Sequence, residues 1–366
     1  MKFFERGRIM PNKTEQHYKT IGAGSHHGLA LGNDRQILSW GISEKATEGK
    51  IASTGGFLRI DGGDFFSVAL HESGKISAWG DDRFRQIFDM PTEQSFVDVT
   101  CGMSHILALK EDGSLISWGD NTDNVVRHTP EGNHFTSVAC GHCFSVAIKE
   151  DGSLVSWGMN DDYQVTRTPK GKNYSRIACG QGHAIALKED GTLQAWGSNE
   201  HGIISDLPTD DDIVDVASGY FHALALKKDG SLVSWGLDDN GQVSQQPTDK
   251  QYISIACGAH FSMALTKDGE LDVWGCDFHH QQQDAPKQGL ISTIAPACQV
   301  ASLDRIKTET AGLDKDYDYK VFASYDEYNE WYQTIYKQQL MDIRLPVIDE
   351  TPKPILLPNR QALFIF

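Results

Sequence analysis

The tryptophans of this 366-residue chain recur with a fixed period. Seven of the eight are spaced 39 residues apart, and each is followed by glycine. Another glycine lies 16 residues before each of them, and histidine or phenylalanine lies three residues after that glycine. Seven copies without a shift of phase identify a repeat protein. The periodic tryptophans are Trp40, Trp79, Trp118, Trp157, Trp196, Trp235 and Trp274.

Each copy has the pattern of antiparallel strands. Two apolar runs within residues 106–118 flank Asp112 and Gly113. Asp-Gly between such runs predicts a hairpin with a primed turn, because glycine adopts positive φ at little cost. A third short strand precedes each upstream glycine, as at 96–99. The polar stretch after Trp-Gly indicates a loop, with a fourth edge strand as an option.

Three or four short strands in a period of 39 residues are typical of a propeller blade. Seven copies predict an all-β, seven-bladed β-propeller over residues 21–300. We expect residues 1–20 to join the closing blade in part. Residues 291–295 resemble an inner strand and predict a partial eighth copy that completes or covers this blade.

These motifs carry a family likeness. Trp-Gly at a strand end, Gly-x-x-His/Phe upstream and Ala-Leu-Lys-x-Asp-Gly between them resemble the regulator-of-chromosome-condensation repeat family over residues 21–290. The short period is similar to that of compact bacterial propellers of this superfamily. The resemblance implies binding of another protein on a propeller face. Family members include exchange factors for the Ran GTPase, effectors that activate small GTPases, enzyme inhibitors, a plant photoreceptor and interaction scaffolds.

Net charge narrows the classes of partner. The chain has 33 Lys+Arg against 50 Asp+Glu, a formal charge of −17. Nucleic acids and anionic membranes need clustered basic side chains, so neither is expected to bind. The sequence has no apolar run of 18 residues and therefore predicts no membrane span. Without a signal-peptide core at the N-terminus, we expect the protein to be intracellular (cytoplasmic or nuclear), or delivered into a host cell.

Acidic pairs follow three of the Trp-Gly copies. Their phase in the repeat predicts that they share one face of the ring, either as a solvated rim or as a patch that steers a basic partner. Residues 1–20 carry +3 and residues 301–366 carry −3, so the propeller itself holds the charge of −17. The pairs are Asp81-Asp82, Asp161-Asp162 and Asp238-Asp239.

Histidines and cysteines, two residue types that often form chemical sites, recur in two columns of the repeat. A column of histidines alternates with phenylalanine, which predicts packed, hydrogen-bonded structural residues. A column of cysteines alternates with alanine, glycine and serine, which predicts small buried residues. The columns are His27, His105, His183 and His222, and Cys101, Cys140, Cys179 and Cys257.

Two local clusters have potential ligands or redox groups. Cys140 and Cys143 form a C-x-x-C pattern, but a second C-x-x-C for a zinc site is missing. Cys276, His279 and His280 share one loop, for which a glutamine-rich surface turn is the favoured interpretation. The sequence also has no nucleophile elbow, P-loop or dinucleotide fingerprint. We therefore predict no catalytic, cofactor-binding or metal-binding residue.

Residues 301–366 form a C-terminal extension. A capping box at 324–327 and apolar residues at helical spacing predict a helix over 325–341. Four prolines in 345–366 favour an extended, polyproline-like arm. The aromatic residues expected to contact the propeller or a partner are Trp331, Tyr332, Phe364 and Phe366.

Together these features predict a non-catalytic platform for protein–protein interaction, acting through an acidic propeller face, the C-terminal arm, or both. A first alternative is a regulator of a small GTPase, by Ran-type guanine-nucleotide exchange or by activation. A second is a structural subunit of a larger assembly or virion.

Overall fold

The chain divides into two compact units, Met1–Ala301 and Ser302–Phe366. The first unit contains seven sheets, each made of three consecutive antiparallel strands. It is an all-β, seven-bladed propeller, as the repeat predicts. The computed structural model describes residues 21–32, 36–41, 56–93 and 95–287, and three short strands of the second unit.

Every sheet has an inner strand, a middle strand and an outer strand that ends in Trp-Gly, and the inner strands of neighbouring sheets pack together. Two short 3₁₀ turns, Thr122–Asn124 and Glu200–Gly202, lie between sheets. The strands are β1 (Ile21–Ala23), β2 (His27–Leu31), β3 (Ile37–Gly41), β4 (Phe57–Gly62), β5 (Phe66–His71), β6 (Ile76–Gly80), β7 (Phe96–Cys101), β8 (His105–Lys110), β9 (Leu115–Gly119), β10 (Phe135–Cys140), β11 (Phe144–Lys149), β12 (Leu154–Gly158), β13 (Tyr174–Cys179), β14 (His183–Lys188), β15 (Leu193–Gly197), β16 (Ile213–Ser218), β17 (His222–Lys227), β18 (Leu232–Gly236), β19 (Tyr252–Cys257), β20 (Phe261–Thr266) and β21 (Leu271–Gly275).

The hairpins between middle and outer strands differ from the predicted primed turn. In β8–β9 only Gly113 has positive φ (82°), and its N–H donates to Lys110 O (3.0 Å). This is a type I turn followed by a left-handed glycine. The Asp112 carboxylate stabilises it, because it accepts hydrogen bonds from Ser114 N (2.9 Å) and Ser114 Oγ (2.7 Å). The primed-turn prediction was wrong, although the hairpin itself is confirmed.

Six of the seven periodic tryptophans tie their sheet to the one before it, whereas Trp79 Nε1 has no hydrogen-bond acceptor among the described residues. Trp118 Nε1 donates to Gln86 O, 32 residues upstream, at 2.8 Å. Trp40 Nε1 donates to Gln281 O (2.8 Å), which joins the first sheet to the seventh, and β1 packs against β19. The ring is thus closed between described residues. The expected contributions of residues 1–20 and 291–295 lie outside the described residues.

The histidine column is structural, as predicted. A Cβ on Gly102 would lie 2.0 Å from the His105 ring, so the Gly-x-x-His/Phe motif is a ring packed on a bare backbone. His105 Nε2 is 3.0 Å from Ser145 Oγ of the next sheet. Opposite Ala184 the column holds Phe144, whereas His183, which has the apolar Ala223 at the equivalent position, bonds Ser218 of the next sheet instead. The bonded pairs are His27–Ser67, His105–Ser145, His183–Ser218 and His222–Ser262.

The second unit has a three-stranded antiparallel sheet in the order β22-β24-β23. Its strands are β22 (Tyr319–Lys320), β23 (Pro354–Leu356) and β24 (Ala362–Ile365). Two segments of the expected extended arm are therefore paired strands, which the proline content did not indicate. The helix predicted over 325–341 lies outside the described residues.

Candidate functional site on the loop face

Two sets of loops lie together at one end of the propeller sheets wherever both are described, and we name this end the loop face. Inner loops join inner to middle strands, and outer loops follow Trp-Gly. Backbone hydrogen bonds connect the two sets, as between Asp120 N and Ser104 O (2.8 Å). The described loop face comprises the inner loops 24–26, 63–65, 102–104, 141–143, 180–182, 219–221 and 258–260, and the outer-loop starts 81–85, 120–124, 159–163, 198–202, 237–241 and 276–280.

Each described outer loop is shaped by the third residue after tryptophan. Asn121 Oδ1, for example, accepts hydrogen bonds from Val126 N (3.1 Å) and Arg127 N (2.8 Å). Such a side chain replaces backbone partners and favours a compact turn. The optional fourth edge strand is absent from these six loops. The capping residues are Asp82, Asn121, Asn160, Asn199, Asp238 and Asp277.

Acidic side chains dominate the described loop face. Eleven Asp and Glu residues are present against two arginines, Arg83 and Arg85, and no lysine. A surface of one sign raises the local concentration of oppositely charged partners and speeds their association. The acidic residues are Asp64, Asp81, Asp82, Asp120, Asp123, Asp161, Asp162, Glu200, Asp238, Asp239 and Asp277.

The six aspartates singled out from the sequence all lie on this face, but at different positions of their loops. Asp82 and Asp238 are capping residues, so their carboxylates already bind backbone N–H groups. Asp81 Oδ2 accepts from Arg83 Nε (2.6 Å). The exposed or half-buried remainder is Asp161, Asp162 and Asp239.

A row of aromatic rings crosses the junction where the ring closes. Phe278 and His279 have centroids 4.9 Å apart, and His279 lies 4.9 Å from His26. His26 in turn lies 5.7 Å from Phe65. We name Phe278, His279, His26 and Phe65 the ring row. It joins loops of the seventh, first and second sheets, more than 200 residues apart in sequence, which is why the sequence did not reveal it.

Burial controls the charge of the ring row. Desolvation lowers the pKa of His279 to about 4 and holds the pKa of His26 well below its usual value, so both rings are neutral at pH 7. Asp64 Oδ1 lies 3.9 Å from His26 Nε2. Desolvation raises the pKa of Asp64 to about 6, so this carboxylate is mainly ionised at pH 7. The ring row itself therefore carries no positive charge at pH 7, and Asp64 beside it adds a negative one.

The centre of the loop face is filled by side chains of the inner loops. Tyr220, Phe221 and Ala259 are buried together, with Met103 packed against them. Tyr220 Oη donates to Ser25 Oγ (3.0 Å). Inner-loop residues from the first, third, sixth and seventh sheets thus meet, and the loops are held as one surface.

The opposite ends of the sheets carry the hairpins, and we name this end the hairpin face. Some of its charges form ion pairs: Lys110 Nζ lies 2.9 Å from Glu93 Oε1, and Lys172 Nζ lies 2.7 Å from Asp151 Oδ2. A cavity of about 710 Å³ opens beside this last pair and is lined partly by Lys170, Lys172, Tyr174 and Lys188. Sequence reasoning did not single out these lysines.

The cysteine candidates are buried thiols. Cys140 and Cys143 are both buried and form no disulfide, and the same holds for the other column cysteines. Within the described part of the chain, no group of three His, Cys, Asp or Glu residues is arranged to hold a metal ion. Among the aromatic residues of the C-terminal extension, Phe364 lies in β24, while Trp331, Tyr332 and Phe366 lie outside the described residues.

Comparison with known families identifies the repeat. The regulator of chromosome condensation (RCC1) repeat matches residues 96–124, 135–164, 174–203, 213–242 and 252–281. These segments extend from an inner strand to the capped outer loop of the third to seventh sheets. A search of the curated proteins gave no match. Among the described helical segments, none is long and apolar enough to cross a membrane.

Solved structures share the fold at low identity. The CRINKLY WD40 ectodomain of the Arabidopsis thaliana receptor kinase ACR4 is 22% identical, with a TM-score of 0.60, over 70% of this chain and 97% of that one. Prp20p of Saccharomyces cerevisiae is 16% identical, with a TM-score of 0.58, over 81% and 94%. Human WBSCR16 is 16% identical, with a TM-score of 0.55, over 73% and 87%. Such likeness establishes the fold alone.

Proposed function

Because the chain is an RCC1-like repeat propeller, we propose that it is a protein-binding platform whose loop face receives a basic protein partner. The observation that carries the proposal is the ratio of eleven carboxylates to two arginines on that face. Prp20p is described by its binding to Gsp1p and to histones. Histones are basic proteins, so this relative offers a precedent for the class of partner.

The loops are suited to binding because they are rigid and varied. The caps, the tryptophan ties and the central cluster hold the backbone, which limits the entropy lost on association. The remaining loop residues differ from copy to copy. A fixed scaffold with varied loop residues is the usual arrangement of a recognition surface. The C-terminal arm, with Trp331 and Phe366, remains a proposed second contact.

Variants that neutralise carboxylates on one face or the other test the proposal. The loop variant combines Asp123→Asn, Asp161→Asn and Asp239→Asn, all exposed and none a capping residue. The hairpin control combines Glu111→Gln, Glu150→Gln and Glu189→Gln, with the same change of net charge. Each protein is used for affinity capture at ~50 and ~300 mM salt, and basic proteins bound are quantified by mass spectrometry.

We expect the loop variant to retain about tenfold less of the basic partner at low salt, and the control to retain nearly all of it. Higher salt should reduce capture by the wild type. Equal losses in the two variants, or binding that salt does not weaken, would contradict the proposal.

A small-GTPase regulator is the second candidate, favoured by the described binding of Prp20p to Gsp1p. Release of labelled nucleotide from a panel of small GTPases measures it directly. An accelerated release that the loop variant loses would assign exchange activity to the same face.

A further inference from the structure

Exposed aromatic rings on and beside the loop face are covered by arginines of their own loops. The Arg85 guanidinium carbon lies 4.6 Å from the centroid of Phe88, whose side chain is 74% exposed. The Arg167 guanidinium carbon lies 4.4 Å from the centroid of Tyr163, which is 53% exposed. Both are cation–π pairs, in which the ring face attracts the positive charge.

Phe278 is similarly exposed, at 61%, but has no such arginine. Its loop, residues 276–285, contains no lysine or arginine. The residue at the position of Arg167, ten residues after the tryptophan, is Asp284. Among the described residues, no guanidinium lies over the Phe278 ring. This loop presents an aromatic face and carboxylates, but no guanidinium or ammonium group.

The other end of the ring row already binds a guanidinium. The Arg83 guanidinium carbon lies 5.9 Å from the centroid of Phe65, and Arg83 Nε donates to Asp81 Oδ2 (2.6 Å). A ring and a carboxylate together hold this arginine. Phe278 has Asp277 beside it in the sequence, although that carboxylate also caps the loop.

The charges near Phe278 favour a cation. His26 and His279 are neutral at pH 7, because burial lowers the pKa of both. Asp64 faces His26 from the second sheet, with Asp81 and Arg83 as its charged neighbours. His260 lies near His26 from the seventh sheet, and burial lowers its pKa to about 4. At neutral pH these histidines therefore do not repel an incoming guanidinium.

We propose that the Phe278 end of the ring row binds an arginine side chain of the basic partner, stacked on Phe278 as Arg85 is on Phe88. This inference rests on the proposed function and names the residue type that the loop face selects. Arginine is favoured over lysine because its planar guanidinium can stack on a ring and bind a carboxylate together.

The test uses the full chain and three fluorescein-labelled peptides of twelve residues. Each peptide has a Gly/Ser backbone with three arginines, three lysines or three citrullines, the last being neutral and close to arginine in shape. Affinity is measured by fluorescence anisotropy at pH 7 and low salt. The variants are Phe278→Ala and Phe278→Leu, with Phe278→Tyr as a rescue and Tyr163→Ala as the matched exposed-ring control.

We expect Phe278→Ala and Phe278→Leu to weaken binding of the arginine peptide about tenfold. Phe278→Tyr should retain the affinity, and Tyr163→Ala should change it less than about twofold. The lysine peptide should bind more weakly than the arginine peptide and be nearly insensitive to Phe278→Ala. The citrulline peptide should bind weakest.

Other outcomes separate this inference from the proposed function. If the triple Asp→Asn loop variant weakens binding but Phe278→Ala does not, the arginine site is overturned and the acidic platform stands. If neither variant matters, both fail. Equal affinity for the lysine and arginine peptides would mean that the face reads charge alone, which also overturns the site. A rise in affinity on Arg360→Gln, which removes the arginine of residues 345–366, would assign the site to the chain's own arm and overturn the partner.

Discussion

The two faces of the propeller are built from the same seven copies but differ in charge. The six described hairpins, within 71–75, 110–114, 149–153, 188–192, 227–231 and 266–270, contain ten acidic residues and seven lysines. The described loop face contains eleven acidic residues and two arginines. The hairpins also repeat nearly the same sequence, whereas the loops vary. The hairpin face therefore repeats one turn structure, whereas the loop face presents side chains that differ from sheet to sheet.

The physical reason is the number of side chains that each face uses to stabilise its own turns. In a hairpin such as 110–114, aspartate, glycine and serine all shape the turn, so little can change. In an outer loop one capping residue fixes the turn. Its neighbours are then free to differ without loss of the fold.

The largest difference in stability between the two faces is expected when a hydrogen bond between neighbouring sheets is removed. Trp196 is 4% exposed, and its Nε1 donates to Gln164 O of the preceding outer loop (2.9 Å). We expect Trp196→Ala to lower the free energy of unfolding by about 3–5 kcal/mol, measured by chemical denaturation. Thr192→Ala in the hairpin of the same sheet should cost no more than about 1 kcal/mol, because it removes one exposed hydrogen bond to Asp190 Oδ1 and leaves the rest of the turn in place. Equal effects would show that both faces are held in the same way.

Acid should destabilise the two faces in different pH ranges. Burial lowers the pKa of His222 to about 3, so the folded state holds it neutral while the unfolded state protonates it below about 6.5. The contribution of neutral, buried His222 to the free energy of unfolding is complete above pH 6.5 and is lost as the pH falls toward 3. At pH 5 the free energy of unfolding is lower by about 2 kcal/mol. Hairpin carboxylates have the opposite preference: hydrogen bonds from Ser114 lower the pKa of Asp112, so its contribution is lost only as the pH falls below about 3.8.

The combined variant His222→Phe with Ser262→Ala checks this difference, because it copies the Phe144–Ala184 arrangement of another sheet. Denaturation at pH 7 and pH 5 should show a smaller pH dependence than in the wild type. An unchanged dependence would mean that His222 is not the titrating group.

The smallest expected effect distinguishes the capping role of a loop-face carboxylate from its charge. Asp238→Ala should cost about 1 kcal/mol of stability, because Val243 N and Ser244 N lose their acceptor. Asp238→Asn should leave stability unchanged, since asparagine caps the equivalent loops at Asn121, Asn160 and Asn199. It should still weaken capture of the basic partner. Thermal melts of both variants provide the comparison.

Sequence reasoning predicted what is periodic and local. The strands, the blade number and the structural histidines follow from spacing and residue type, and the structure confirms them. The primed turn was wrong because the residue pair Asp-Gly does not reveal that Asp112 bonds Ser114. The capping residues had a signal that could have been found, Asp or Asn three residues after each of six tryptophans.

The ring row had no such signal. His26 and His279 are separated by most of the propeller, and their contact depends on where the ring closes. The alternation of His and Phe could have been explained from the sequence, because serine lies 40 residues after His27, His105 and His222. The spacing of 40 residues becomes informative only once neighbouring sheets are known to pack side by side.

The bond from Trp40 to Gln281 has a consequence for the newly synthesised chain. During synthesis, His26 and Phe65 emerge long before Phe278 and His279 exist. The ring row therefore forms only when the seventh sheet packs against the first, the contact in which Trp40 bonds the last outer loop. An unfinished or truncated propeller lacks this surface, so a partner that reads it recognises only completed molecules.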